Sequence, residues 1–503
     1  MDDLYSLLAV LAVVLVTVVI GTYGSRLSRT TSDFYVASRT VSPWWNASAI
    51  GGEYLSAASF LGVAGLVFAF GPDMLWFPVG YTVGYLFLLA LVAAPLRRSG
   101  AYTLPDFAEA RLESLPVRRI ASVFTVAIGW MYLLPQLQGA GLTLRTVTGA
   151  PDWLGGLIVV VVVTVNLMAG GMRSITFVQA FQYWFKLTAL IVPVIFLVLA
   201  WRSDGAPDVT ERAPAVADLT LLPFGGQEDH PLYVVYALMI ATFLGTMGLP
   251  HVVVRFYTNP SGGQARRTTV VVLCLLGVFY LLPPVYAAFG QLYLPELLLT
   301  GQTDAVVLLL PHEMVGGLLG KLLGALLAGG AFAAFLSTSS GLMVSVAGVV
   351  SQDVLRRAHD VRAFRIAAAL AAAVPFLLTF PAPDLPAATV VGLAFAVAAS
   401  SFCPLLVLGI WWRGLTRVGA AAGMVLGGGG ALLAGAVTIG WNTGDGLVWT
   451  LLRWPAAWSV PLGFLTMIVV SLATPGQVAA GVNAMMARLH LPESVRRELE
   501  DER

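Results

Sequence analysis

Four consecutive hydroxyls, Ser337 to Ser340, stand inside the apolar stretch 331–342, AFAAFLSTSSGL. Hydroxyls in hydrocarbon need partners, and a desolvated cation is one partner available at membrane depth. Ser337 and Thr338 are adjacent, so on a helix they point about 100° apart and grip one ion only together with a facing backbone. Alternatively each hydroxyl bonds back to the carbonyl one turn earlier. Two ionisable side chains share this apolar setting. Lys186 sits some ten residues into its helix, about 15 Å deep. Glu53 is the acidic residue found within a span. Arg145 and Lys321 also fall within spans, but near helix ends from which they snorkel to headgroups. Lys186 and Glu53 either form a structural pair with each other, or one of them meets a cation, a proton or an anionic substrate.

The elements that position these residues follow from composition. The chain has 503 residues, 58% of them hydrophobic and 11% charged, and its mean hydropathy is +0.84. Soluble domains carry about 25% charged residues, so the chain reads as an all-α polytopic membrane protein. Apolar runs of about 20 residues recur about 13 times. Among them are 46–70, 178–201, 231–254 and 320–350. Asp2 and Asp3 replace the basic start of a signal peptide. Cys274 and Cys403 lie in apolar runs and read as free thiols. The net charge of +1 suggests no nucleic-acid partner. The five histidines, scattered over loops and helix ends, suggest no enzyme, and no obligatory protein partner is evident.

Basic loop residues set the expected orientation. With the N-terminus outside, 22 of the 28 Lys and Arg fall on the inner side, from Arg26 and Arg29 through Arg97, Arg98, Arg255, Arg356 and Arg357 to the C-terminal tail. The outer loops are acidic, with Asp204, Asp208, Glu211 and Asp218 among them. A multi-pass protein of the plasma (inner) membrane with a cytoplasmic C-terminus is expected.

Two spans look interrupted. In 46–62, NASAIGGEYLSAASFLG, the Gly51-Gly52 pair invites a break that would expose backbone carbonyls. The seventh span carries Gly245 and Gly248-Leu249-Pro250. Interrupted helices five spans apart point to an inverted-repeat secondary transporter. Close helix packing through small residues is the other reading.

Several blocks carry a resemblance: DFYVASR at 33–39, SAASFLG at 56–62, GGMRSITFVQAFQYWFKLTA at 170–189, GLPHVVVRFYTNP at 248–260, AAFLSTSSGLMVSVAGVVSQDV at 333–354 and FCPLLVLG at 402–409. Together they resemble the sodium:solute symporter family, and within it the bacterial cation/acetate (monocarboxylate) symporters. The resemblance implies a leucine-transporter-like core of five-plus-five inverted repeats, at 46–201 and 231–412. An N-terminal extra helix and loop (1–45), an acidic outer loop (202–230), two C-terminal helices (413–474) and a tail (475–503) complete the chain. It implies a sodium site made of the carbonyls of Gly52, Leu55 and Ala334 with the hydroxyls of Ser337 and Thr338. Ser56, Ser59, Thr242 and Thr246 would contact substrate. Gln179 departs from relatives that carry an Asp near the sodium path.

These small pocket residues suit a small carboxylate better than a sugar. Half-helix N-termini or Lys186 would hold the anion, with Tyr54, Phe60, Phe243 and Trp130 as apolar walls. The expected function is sodium-coupled uptake of a small organic anion such as acetate, propionate or pyruvate by alternating access. Glu53 and Lys186, expected close together, are coupling candidates. Proton coupling through that pair, or sodium symport of another small solute, are the alternatives.

Overall fold

The computed structural model describes residues 4–26, 37–208, 230–355, 360–381, 387–440, 444, 446–493 and 495. Most of the acidic loop, the start of the DFYVASR block (33–36), Arg29, Arg356, Arg357 and the last residues of the tail lie outside them.

Eleven helices among the described residues are long and apolar enough to cross a membrane. A bent pair, Pro43–Tyr54 and Ala58–Phe70, crosses as a twelfth with a 71° turn between its halves. The run Asp152–Ser203 is 52 residues long, about 78 Å at 1.5 Å per residue, which is two crossings. It turns at Gly171, whose φ of 58° and ψ of −148° lie where residues with a Cβ are strained. Counted so, the crossings number 13, as the apolar runs suggest.

We label the elements that build the site α1 (Leu4–Ser25), α2 (Pro43–Tyr54), α3 (Ala58–Phe70), α4 (Leu115–Thr148) and α5 (Asp152–Ser203). They continue with α6 (Pro231–Gly248), α7 (Pro250–Val254), α8 (Gly317–Val349) and α9 (Ala387–Trp411). Proline supplies the first helical residue of α2, α6 and α7, where its missing N–H costs nothing. From Leu327 to Val349, α8 is buried on every side, so it is the central strut of the bundle rather than an amphipathic surface helix. It packs against α5, α4 and α1, while α6 packs against α9. The extra N-terminal helix α1 is fixed to α5 by polar bonds: Gln182 Nε2 donates to Thr17 Oγ1 at 3.2 Å and Ser174 Oγ to the Gly21 carbonyl at 2.6 Å.

The expected break at Gly51-Gly52 is displaced. Both glycines are helical, and α2 ends only after Tyr54. Their role is close approach: a Cβ on Gly52 would stand 2.1 Å from the Gln179 carbonyl oxygen, and one on Gly51 2.8 Å from the Tyr183 ring. Small residues here seat α2 on α5. The second interruption falls where expected. Leu249 is extended, with ψ of 116°, between Gly248 and Pro250.

Candidate functional site

The site grows out of the gap between α2 and α3. In an unbroken helix, Gly52 O would accept from Ser56 N, Glu53 O from Ala57 N and Leu55 O from Ser59 N. None of these bonds forms. Ser56 N turns to Tyr54 O and Ser59 N to Ser56 O, while Ala57 N donates to Gln136 Oε1 at 3.3 Å. Three carbonyls are left in a buried place where each must find a donor.

Two of them find the same one. The Lys186 ammonium donates to Gly52 O at 2.6 Å and Leu55 O at 2.6 Å. Its third bond goes to Ser337 Oγ at 3.0 Å. Ser337 passes its own proton to Ala334 O at 3.0 Å. Thr338 serves the third free carbonyl, donating to Glu53 O at 2.6 Å. The five residues expected around sodium are therefore brought together, and Gly52, Leu55 and Ser337 converge directly on Lys186. Carbonyl and hydroxyl oxygens suit a small cation, and the cation they hold in this arrangement is the ammonium. Ser340, by contrast, bonds back to Leu336 O and Ser339 Oγ has no hydrogen-bond partner among the described residues, so the run of four divides in use.

The expected Glu53–Lys186 pair does not form. Glu53 Oε2 accepts from Arg255 Nε at 2.6 Å, with both side chains 1% exposed. Gly52 offers Lys186 a backbone carbonyl freed at the end of α2, whereas the Glu53 side chain leaves the helix sideways and packs against Gly341 of α8. Arg255, placed by sequence in an inner loop, is fully buried. Its planar fork satisfies several acceptors at once, as an ammonium at this position could not. Nη1 donates to Thr176 Oγ1 at 3.0 Å and Nη2 to Gln179 Oε1. Gln179 in turn donates from Nε2 to Ser337 O at 2.7 Å, and Asn46 Nδ2 donates to Arg255 O at 3.1 Å. A neutral Gln stands here because it must both accept from Arg255 and donate to α8, which a carboxylate cannot do.

The four expected substrate residues fall into two sets. Ser56 accepts from Tyr132 Oη at 3.3 Å and Ser59 bonds Tyr280 Oη at 2.9 Å. Thr242 bonds back to Leu238 O at 2.9 Å and packs against Gly80. Thr246 bonds Tyr54 Oη at 2.8 Å and packs against Gly84. Tyr54, Tyr81, Tyr280 and Phe395 stand between the sets, with Tyr81 about 5–6 Å, centroid to centroid, from each of the other three rings. Of the aromatic walls expected, Tyr54 joins this cluster and Phe60 packs on Phe279.

Beside Ser56 lies a narrow cavity of about 40 Å³, lined by Ala57, Ala58, Tyr81, Gln136, Phe335 and Asp304 among others. Asp304 belongs to a short turn between two membrane crossings, where burial pushes its carboxyl up to about 6. His251, the second residue of α7, is 1% exposed, stacks on Tyr132 at 5.3 Å, and has no hydrogen-bond partner at either ring nitrogen. Sequence reasoning missed Arg255, Gln136, Tyr132, Tyr280 and His251 as site residues. For Arg255 the signal was present, since it follows the second interruption by only a few residues.

Comparison with known proteins places this geometry. The sodium:solute symporter family matches residues 34–427. A Bacillus subtilis protein named as the uncharacterised symporter YwcA is 32% identical, over 92% of this chain and 93% of its own length. A monocarboxylic acid transporter of Corynebacterium glutamicum is 31% identical, over 92% of this chain and 89% of its own. Among solved structures, a sodium-coupled sialic acid symporter superposes with a TM-score of 0.72 at 14% identity, covering 94% of this chain and 98% of that one. Mhp1, of the nucleobase-cation-symport-1 family, gives 0.55 at 13% identity, covering 92% and 99%. At such identities the two structures report on fold alone, and that fold is a leucine-transporter-like bundle. The chain is a transporter rather than an enzyme, and it belongs to the sodium:solute symporter family.

Proposed function

We propose that this sodium-coupled symporter carries small monocarboxylates, of the size of acetate, propionate or pyruvate, into the cell. The observation that carries the reading is the cavity at the start of α3. Its wall is apolar except for a few groups, and one of these, Gln136 Oε1, holds the Ala57 amide. That amide opens α3, where the helix dipole favours an acceptor of negative charge. A substrate carboxylate takes the place of the Gln136 oxygen at Ala57 N, with Ser56 beside it, and a short alkyl group lies against Ala58, Tyr81 and Phe335. A polyhydroxylated solute would leave most of its hydroxyls without partners on such a wall. The similarity to a monocarboxylic acid transporter supports the same class.

In this reading 46–201 and 231–412 are the two repeats that alternate access, and the Arg-rich ends of the helices face the cytoplasm. Arg255 lies after the break of the second repeat and Glu53 before the break of the first. Their ion pair, with Gln179 and Thr176, closes the path from the cavity to the cytoplasm and opens as the repeats move. Exchange of labelled acetate in proteoliposomes tests the substrate class. Unlabelled acetate, propionate and pyruvate should each accelerate entry of the label, and glucose and proline should not. Equal acceleration by proline would refute the assignment, as would no exchange at all from protein shown to be folded.

A further inference from the structure

The cation pocket between α2, α5 and α8 holds a cation that the chain itself supplies. Three of the oxygens that family resemblance gives to sodium, those of Gly52, Leu55 and Ser337, accept from one ammonium at 2.6, 2.6 and 3.0 Å. An ammonium has three donors and no acceptor, so Lys186 is fully satisfied by these three contacts. The residue is 0% exposed.

We propose that Lys186 is a tethered competitor at this pocket: its ammonium and a sodium ion exclude one another there, and sodium enters only once the side chain has withdrawn. Charge balance carries the argument. Two unit cations in one buried cage need a compensating anion, because little solvent screens them. The nearby carboxylate, Glu53, is committed to Arg255. Helix α8 has no ionisable side chain from Ala331 to Val349. On the other faces, Tyr183 Oη is bonded to Leu275 O and Tyr286 Oη to Leu190 O, and α1 carries only Tyr5 and Tyr23. Among the described residues no second carboxylate faces the pocket, and the single charge of Glu53, whose Oε1 has no hydrogen-bond partner, is already balanced by Arg255. The lone pairs of Gly52 O, Leu55 O and Ser337 Oγ that accept from Lys186 are not open to a metal ion at the same time.

The lysine is therefore a specificity device as well as a strut. It sets how much sodium is needed to fill the pocket, and it ties the broken helix to α8 while the ion is away. The inference rests on the cation pocket and family membership and is independent of which carboxylate is carried.

The test uses full-length protein in lipid nanodiscs, melted over a sodium chloride series at constant ionic strength with choline chloride. Wild type, Lys186→Met and Lys186→Gln are compared, each with and without Ser337→Ala. Removing the charge while keeping most of the stem should lower the half-stabilising sodium concentration at least tenfold, and adding Ser337→Ala should reverse that gain. A half-stabilising concentration within twofold of wild type in a folded Lys186 variant overturns the proposal, as does a gain that Ser337→Ala leaves untouched. Where neither variant folds, the wild-type structure in 0.3 M sodium chloride decides. Sodium bound to Gly52 O and Leu55 O with Lys186 still in hydrogen-bond reach overturns the proposal. Sodium there with Lys186 withdrawn, or Lys186 alone in the pocket, supports it. Acetate exchange reports separately on the substrate: its failure beside the expected sodium shift refutes the monocarboxylate and leaves the tethered competitor standing.

Discussion

Replacing Arg255 by Met strands a carboxylate that has no other cation among the described residues. Glu53 and Arg255 are each 1% exposed and meet at 2.6 Å, so water does little to screen either charge. Removing one partner of such a pair costs about 3–5 kcal/mol, most of it the penalty of the unpaired charge left behind. Arg255→Met also releases Thr176 Oγ1 and Gln179 Oε1, at about 1–3 kcal/mol for each buried group that finds no new donor. In Glu53→Gln with Arg255→Met the stranded charge is gone and only the polar losses remain. The double variant should therefore be more stable than Arg255→Met alone by at least about 2 kcal/mol, a coupling typical of groups in direct contact. The assay is a double-mutant cycle of unfolding in mixed micelles at rising denaturing-detergent fraction, with wild type, both single variants and the double. If the two effects simply add, to within about 0.5 kcal/mol, the pair does not hold the site together and the reasoning fails.

Three further outcomes follow from the same contacts. Gly52→Ala places a Cβ 2.1 Å from the Gln179 carbonyl oxygen, and forcing α2 off α5 should cost about 1–3 kcal/mol and reduce acetate exchange; wild-type melting and exchange would show that the helices are not seated as described. Burial raises the Asp304 carboxyl from 3.8 to about 6, so its protonated form stabilises the fold at low pH and that contribution is lost as pH rises through about 6. Asp304→Asn should therefore narrow the difference in melting temperature between pH 5 and pH 7, and an unchanged difference would remove Asp304 from the explanation. Thr242 already donates to Leu238 O, so Thr242→Val should keep the half-saturating acetate concentration within about threefold, and a tenfold rise would return that hydroxyl to the substrate site.

Much of the architecture is legible in the sequence because a bilayer enforces it. Apolar runs need about 20 residues to cross, and irregular backbone survives at that depth only where something satisfies it. The run 152–203 reads as two crossings despite its continuous helix, since Gly170 and Gly171 interrupt it. The hydroxyls of Ser337 and Thr338 were also legible, because polar groups in hydrocarbon must meet partners. Pairing was not. Sequence distinguishes neither which face of α2 Glu53 occupies nor that Arg255, the first residue past the end of the span expected at 231–254, folds back into the core. Buried Lys and Glu suggest each other by charge alone. The break after Tyr54 decides instead that the Gly52 carbonyl is free for Lys186, while the Glu53 side chain lies against Gly341 and offers Arg255 its carboxylate. Glycine was ambiguous for a related reason. Gly51 and Gly52 signal flexibility and close packing equally, and the space taken by Gln179 and Tyr183 selects packing.

The central claim, sodium-driven uptake of a small monocarboxylate, is tested most directly by concentrative uptake into proteoliposomes that contain the purified protein. With an inward sodium gradient and no pH gradient, labelled acetate should rise above its equilibrium level and fall back when a sodium ionophore collapses the gradient. Acetate that never exceeds equilibrium under the sodium gradient, but accumulates under an inward proton gradient in sodium-free buffer, would contradict the account.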